Sequence, residues 1–275
     1  MATEPRPGRV PIGVDPTKAS IARVYDAFLG GKDNYAVDRE VRDAVAGLLP
    51  DWDAAARENR AFLVRVCRFL AGQCGIRQFL DCGSGLPTVE NVHEVVQRVD
   101  PEAAVVYVDN DPVVLAHGRA ILEENDHSHF VSADIFTPSD VLEHPSVRRY
   151  LDLSEPVALL HFATMHHYEG ARPPADIMGE YIDALPSGSY VAVSHFLDPE
   201  NEYTALARKV ESVFRDGALG SGVFRTMAEI EKLLAGVDLV EPGVVRTVDW
   251  WPDGPQFEEL SPLQHCLAGG VGRKL

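Results

Sequence analysis

The chain is short of cysteine, of long apolar runs and of basic residues, and each shortage narrows what it can be. Only four of its 275 residues are cysteines. Cys67, Cys74, Cys82 and Cys266 show neither CxxC spacing nor the density of a disulfide scaffold, so they read as reduced, buried thiols of a cytoplasmic protein. No segment approaches the ~20 apolar residues that span a bilayer. The opening MATEPRPGRVPIGVDP puts prolines and charges where a signal peptide carries an apolar stretch, and no membrane role is expected. Lys and Arg number 25 against 42 Asp and Glu, a net charge of −17. Duplex nucleic acid is held by neutralising its phosphates with Lys and Arg, so no duplex partner is expected; a small nucleotide in a pocket remains compatible. Internal repeats and low-complexity tracts are missing as well.

What is present suits one large α/β domain with an appendage. Residues 1–16 read as a Pro-rich, flexible lead-in and residues 17–75 as an N-terminal helical cap or lid. Residues 76–275 form the main domain. In the cap, a first helix starts near Thr17, with Ile21, Val24, Tyr25 and Phe28 on one face and Gly30 and Gly31 as its stop. A second runs through Val41, Val45 and Leu48 to Pro50. The third spans about Asp53 to Ala71, with Phe62, Leu63, Val66, Phe69 and Leu70 inward.

From residue 76 strands and helices alternate. Strands are expected at 76–82, 103–109, 130–133, 157–162 and 190–196. The helices between them include one opened by Asp111 and Pro112, broken pieces over 138–151, one opened by Pro173 and Pro174, and one over about 202–215. Thr226 and Glu229 have capping-box spacing for another. Three tail segments, 237–240, 244–250 and 263–271, read as strands without a long helix between them, which predicts a terminal antiparallel hairpin.

The chemistry gathers at strand ends, where open α/β sheets bind ligands. The stretch FLDCGSGLPT, Phe79 to Thr88, ends the first strand in Asp81 and two close glycines, Gly83 and Gly85, with Val89, Val92, Val96 and Val99 at helical spacing beyond. A strand, a glycine turn and a helix make a nucleotide-type cradle in which glycine admits close approach and the helix aims unpaired N–H groups at the ligand. An ordinary tight turn is the alternative. The second strand ends in Asp109, placed to accept from two ribose hydroxyls, with Asn110 beside it. The third ends in Asp134, an acid for an exocyclic amine, with Ile135 and Phe136 to sandwich a base. A dinucleotide fingerprint needs a third glycine where this chain has Thr88, which disfavours a nicotinamide-dependent oxidoreductase.

These features resemble the class I S-adenosylmethionine-dependent methyltransferases. More narrowly, ARVYDAFLGGKDNYAVDR, FLDCGSGLPT, VVYVDNDPVVL, HFVSADI and VDWWPDG are similar to an actinobacterial S-adenosyl methyltransferase family long carried as a domain of unknown function. The resemblance implies a Rossmann-like α/β fold: a mostly parallel seven-stranded sheet, a C-terminal antiparallel hairpin and the N-terminal helical cap. It implies S-adenosylmethionine as cofactor but does not supply the substrate; a small-molecule O, N or S acceptor is the expectation, and the oligomeric state stays open, a homodimer being one candidate. It also makes Arg23 and Lys32 candidates to pair with the cofactor carboxylate, Asp81 an orienter of its amino group, and the Lys32–Tyr35 loop a lid. His166 and His167, in HFATMHHYEG after the fourth strand, become base candidates because an unperturbed imidazole titrates near neutrality, with mere lining of the cleft as the alternative. A zinc site from His161, His166, His167 and His195 is disfavoured by spacing. A non-catalytic cofactor sensor is the competing function.

Overall fold

The computed structural model describes residues 14–48, 52–87, 90–122, 125–257 and 259–275. The lead-in up to residue 13, Pro50, Thr88 and Val89 lie outside the described residues, as do the side chains of Leu48 and Leu122. Alternation of apolar segments with helical periods produces a sheet of eight strands: β1 (Gln78–Cys82), β2 (Ala104–Asp109), β3 (Ser128–Ser132), β4 (Ala158–Phe162), β5 (Tyr190–Phe196), β6 (Asp238–Leu239), β7 (Val245–Arg246) and β8 (Leu267–Arg273). Their order is β3-β2-β1-β4-β5-β8-β6. β1 to β5 are parallel, and β8 enters antiparallel between β5 and β6. β6 and β7 share the far edge of β8, so the expected seven positions hold, the last being split between two short strands. The tail departs from expectation because Thr247–Asp249 and Pro262–Cys266 wind into 3-10 turns. Arg65 causes the first: its Nη2 donates to the Thr247 carbonyl at 2.7 Å and its Nε to the Trp250 carbonyl at 3.1 Å. That turn drops the fully buried Trp250 ring beside Phe62.

Three helices precede the sheet: α1 (Ile21–Phe28), α2 (Ala36–Leu48) and α3 (Trp52–Gly72). α1 begins later than Thr17 because Asp15 first closes a turn, its Oδ1 accepting from the Thr17 amide at 3.0 Å. Ile21 is 39% exposed and so lies off the expected apolar face, which Val24, Ala27 and Phe28 form instead. Of the helices read as a cap, α3 packs on the sheet itself. Its Phe62, Val66, Cys67 and Leu70 share one core with Phe79 of β1, Val105 of β2 and Leu160 of β4. α1 and the start of α3 pack instead against Phe196 and Phe214, at one end of the sheet.

The remaining helices are α4 (Val92–Gln97), α5 (Pro112–Leu122), α6 (Pro138–Leu142), α7 (Pro145–Tyr150), α8 (Pro174–Ala184), α9 (Thr204–Arg215) and α10 (Met227–Glu231). The Thr226–Glu229 capping box is present, with the Thr226 amide donating to Glu229 Oε2 at 2.8 Å. α4 is shorter than the valine spacing predicts. It starts only after Asn91, whose amide donates to Glu94 Oε2 at 2.7 Å, and Val99 lies beyond its end, half exposed. Among the described residues no helix is long and apolar enough to cross a membrane.

Candidate active site

Period-two alternation along β1 puts Phe79 and Asp81 on the face covered by α3, and Leu80 and Cys82 on the other. Asp81 is thereby buried, and burial pushes its carboxyl up to about 7 against the pull of the Arg60 guanidinium on α3; the charge of Asp109 adds to the rise. The chain then turns at Gly83 (φ 76°) and Gly85 (φ 65°). The two glycines serve different ends. A Cβ at Gly83 would stand 2.4 Å from Thr164 Cγ2 and 3.0 Å from Ile135 Cδ1, whereas one at Gly85 would meet nothing within 4 Å.

The N–H groups of this turn are already paired. Gly83 N donates to the Val108 carbonyl at 2.7 Å and Gly85 N to Asp109 Oδ2 at 2.9 Å. The expected N–H cradle is therefore corrected: the loop is braced on β2, α4 starts too far along to aim its amides there, and the opening is lined by side chains and bare Cα. Asp109 takes the Asp111 amide on Oδ1 at 2.9 Å, and the Asn110 amide also lies against its carboxylate. Burial raises its pKa, with the Asp111 and Gly85 amides opposing.

A cavity of about 640 Å³ opens above these strand ends. Asp81, Gly83, Gly85, Asp109, Asn110, Asp134 and Ile135, all expected from the sequence, line it. Asn110 and Asp134 stand exposed at its rim, and Asp134 Oδ1 caps its own turn by accepting from the Phe136 amide at 2.9 Å. The size lies within the ~300–1,000 Å³ of small-molecule sites.

Arg23 and Lys32 are placed elsewhere. Arg23 is 4% exposed, its Nε is 2.9 Å from Asp38 Oδ2, and it does not line the cavity. A guanidinium spent on an internal carboxylate that ties α1 to α2 has no charge to offer a ligand, so its reading as a carboxylate partner is withdrawn. Lys32 is exposed and likewise off the wall. The loop read as a lid is stitched to Asp26, whose Oδ2 accepts from the Asp33 amide at 3.0 Å and from Asn34 Nδ2 at 2.8 Å. The cation on the wall is Arg60, which also reaches Asn91 Oδ1 at 3.2 Å. Sequence reasoning missed it, although Ala56, Asn59, Arg60 and Leu63 recur at i, i+3, i+4 and i+7 of α3 and all line the cavity. A polar pair inside an apolar stripe was the available signal.

His166 and His167 do line the cavity, in the 3-10 turn Met165–His167. Their basicity is not near neutral. Burial brings His167 down to about 4 and holds His166 well below the usual imidazole range, where the neighbouring His167, His195 and Arg225 depress it further. His166 stacks on Phe196 at 3.5 Å between ring centroids, and the Phe196 amide donates to its Nδ1 at 3.4 Å. The proton of the neutral ring is thus on Nε2, which is buried without a partner among the described residues. His167 Nδ1 is 2.9 Å from Ser221 Oγ. His161 and His195 are wholly buried inside their strands and neither lines the cavity. Among the described residues no group of three or more His, Cys, Asp or Glu is arranged to hold a metal ion.

The model of the family described as S-adenosyl methyltransferase matches residues 9–275. A crystal structure of a proposed methyltransferase from Thermobifida fusca YX is similar to this chain at 45% identity and a TM-score of 0.90, over 96% of this chain and 98% of that one. That of a DUF574 family protein from Streptomyces avermitilis MA-4680 is similar at 37% identity and a TM-score of 0.87, over 94% and 98%. Human N-acetylserotonin methyltransferase in complex with S-adenosylmethionine shares the fold alone, at 13% identity and a TM-score of 0.51, over 91% of this chain and 59% of that one. Among curated proteins nothing matches. With the sheet order, the acidic strand ends and these relatives together, the chain belongs to the S-adenosyl methyltransferase family and is an S-adenosylmethionine-dependent methyltransferase of the class I fold.

Proposed function

We propose that the chain holds S-adenosylmethionine over the ends of β1, β2 and β3 and methylates an O, N or S atom of a small acceptor lodged over β4, β5 and β8. The observation that carries this is the single cavity joining Asp81, Gly85 and Asp109 to His166, His167 and Phe196. The residues fit the cofactor: Gly85 leaves open the space a Cβ would take, and Ser84 Oγ is buried without a partner among the described residues. When bound, S-adenosylmethionine supplies a sulfonium methyl carbon open to in-line attack. Asp109 receives the ribose hydroxyls, Asp134 and Ile135 meet the adenine, and Asp81 with Arg60 takes the amino-acid end. Positioning of this kind supplies roughly 7–11 kcal/mol of a displacement barrier. The free thiols, three of them buried, support a reducing, cytoplasmic setting.

Calorimetric titration tests the reading. S-adenosylhomocysteine and S-adenosylmethionine are expected to bind and NAD is not; the reverse pattern sinks it. Labelled cofactor incubated with candidate acceptors is expected to yield S-adenosylhomocysteine in step with a methylated product, which a sensor would not do.

Two further results are expected. Arg60→Met should weaken S-adenosylhomocysteine by roughly tenfold or more, the ~1.5–3 kcal/mol of a charged hydrogen bond. It should leave 5′-methylthioadenosine, which lacks the amino-acid end, unchanged; equal losses for both ligands would remove Arg60 from that end. The second concerns pH. The folded-state pKa of Asp81, about 7, lies above the ordinary carboxylate value, so the protonated form is the one the fold favours. Its contribution to stability is full below the unfolded pKa and is lost as pH rises through about 7. A cationic amino group favours the ionised form, so S-adenosylhomocysteine affinity is expected to climb from pH 6 to 8 with proton release, and Asp81→Asn to flatten both profiles. A pH-independent affinity in the unchanged chain would exclude an Asp81–ammonium pair.

A further inference from the structure

The charged residues of the cavity wall are all at one end. Asp81, Asp109, Asp111 and Asp134 follow β1, β2 and β3, and Arg60 faces Asp81. Over β4, β5 and β8 the wall changes character. It is built from Phe28, Trp52, Phe196, Phe214, Leu219 and Leu267, with His166, His167, Thr164, Asn59 and Tyr25 as uncharged polar members; among the described residues no Lys, Arg, Asp or Glu lines it. Topology enforces this division, because Phe196 at the end of β5 pairs with Leu267 at the start of the antiparallel β8.

The rings are set as flat walls. Phe196 lies nearly parallel to His166, Phe214 and Phe224, at 11°, 8° and 19°. Trp52 stands edge-on to Phe196 and Phe214, at 76° and 79°. Such a wall receives a planar ring by stacked and edge-to-face contacts. A charged ligand would lose its water there with nothing to compensate it. The polar requirement is equally specific: the unpartnered Nε2–H of the buried His166 calls for an oxygen acceptor.

We propose that the methyl acceptor is an uncharged, planar aromatic compound carrying a ring hydroxyl, held against the wall that Trp52, Phe196 and Phe214 form by packing on one another, with its oxygen toward the His166–His167 turn. This rests on the methyltransferase reading above and gives its acceptor a chemical class. In the transfer, the hydroxyl oxygen bonds to the methyl carbon while the carbon–sulfur electron pair stays on sulfur, leaving a neutral thioether. The hydroxyl proton goes to His167 and then to water. Both histidines are neutral and weakly basic, so neither is suited to ionise an aliphatic alcohol beforehand. A ring hydroxyl is the more acidic class, as the ~10 pKa of the tyrosine phenol illustrates, and its oxygen becomes strongly acidic as the new bond forms.

The test uses the full chain saturated with S-adenosylhomocysteine and three probes of one shape: 2-naphthol, 2-naphthoate and protonated 2-naphthylmethylamine. Binding is read by calorimetry and by Trp fluorescence. 2-Naphthol is expected to bind at least tenfold more tightly than either charged probe. Leu219→Arg, at a half-exposed wall position that admits a long side chain, is expected to turn the preference toward 2-naphthoate while the S-adenosylhomocysteine affinity stays within twofold. If S-adenosylhomocysteine binds but the three probes bind equally, or a charged one binds best, the acceptor class is overturned and the methyltransferase reading stands. Failure to bind S-adenosylhomocysteine overturns both.

Discussion

Asp109→Ala is expected to weaken S-adenosylhomocysteine binding by about two orders of magnitude, the ~3 kcal/mol of charge-assisted hydrogen bonds lost from a largely desolvated site. Two effects act in one direction. The carboxylate that would receive the ribose hydroxyls disappears, and so does the brace of the glycine turn, because Gly85 N donates to Asp109 Oδ2 and Asp111 N to Oδ1. Asp109→Asn is milder. Its one amide oxygen can accept from Gly85 or from Asp111 but not from both, and it carries no charge, so this variant is expected to fall between the two, near a tenfold loss. In the folded state two effects oppose each other: removing Asp109 relieves a desolvated carboxyl but leaves the Gly85 and Asp111 amides without their acceptor, so only a modest change in melting temperature is expected. Calorimetric dissociation constants alongside melting curves decide the matter. A dissociation constant for Asp109→Ala within threefold of the unchanged chain, with an unaltered melting temperature, would remove Asp109 from the ribose position.

Gly83→Ala and Gly85→Ala are expected to fail in opposite ways. Both glycines have positive φ, which costs a non-glycine residue roughly 1–2 kcal/mol. Gly83 adds a clash: its new Cβ would lie 2.4 Å from Thr164 Cγ2, in a side chain pinned by the 3.1 Å contact of Oγ1 with His161 Nδ1. Overpacking of that kind costs about 1–3 kcal/mol more. Gly83→Ala should therefore lower the melting temperature by roughly 5–15 °C, at ~2–4 °C per kcal/mol for a chain of this size. Thr164→Ser deletes the clashing methyl, and in the double variant it should restore part of that loss. Gly85→Ala meets no protein atom and should cost only a few degrees by the same scaling. Its methyl instead enters space assigned to the cofactor, so it should weaken S-adenosylhomocysteine more than Gly83→Ala does, measured at a temperature where both variants are folded. Equal thermal losses without rescue by Thr164→Ser would disprove the division of roles.

Much of this arrangement is legible in the residues. β5 spans the expected Tyr190–Phe196, because a strand buried on both faces reads as a mostly apolar segment, here broken only by the buried Ser194 and His195. Asp81, Asp109 and Asp134 are readable because the carboxyl end of each parallel strand has a fixed place at one edge of the sheet, whatever the helices do. Arg23 and Arg60 show where this stops. Both are arginines on amphipathic helices before the first strand, and the polar pair Asn59–Arg60 in the stripe of α3 marks an unusual position without saying what it faces. One meets Asp38 and the other the cavity, since α2 folds back on α1 while α3 lies across β1. The histidine pair shows the same limit in electrostatics: identity suggests a near-neutral base, and burial against Phe196 removes it.

By itself, then, the sequence determined the alternation of elements, the glycine turn and the acids at three strand ends, because hydrophobic period, turn chemistry and strand polarity are local properties. Tertiary structure decided which cation faces the site, that the turn's N–H groups are consumed by Val108 and Asp109, and that one cavity is charged over β1 to β3 and uncharged over β4, β5 and β8. These follow from contacts between residues distant in the chain, and from a dielectric environment that no single segment sets.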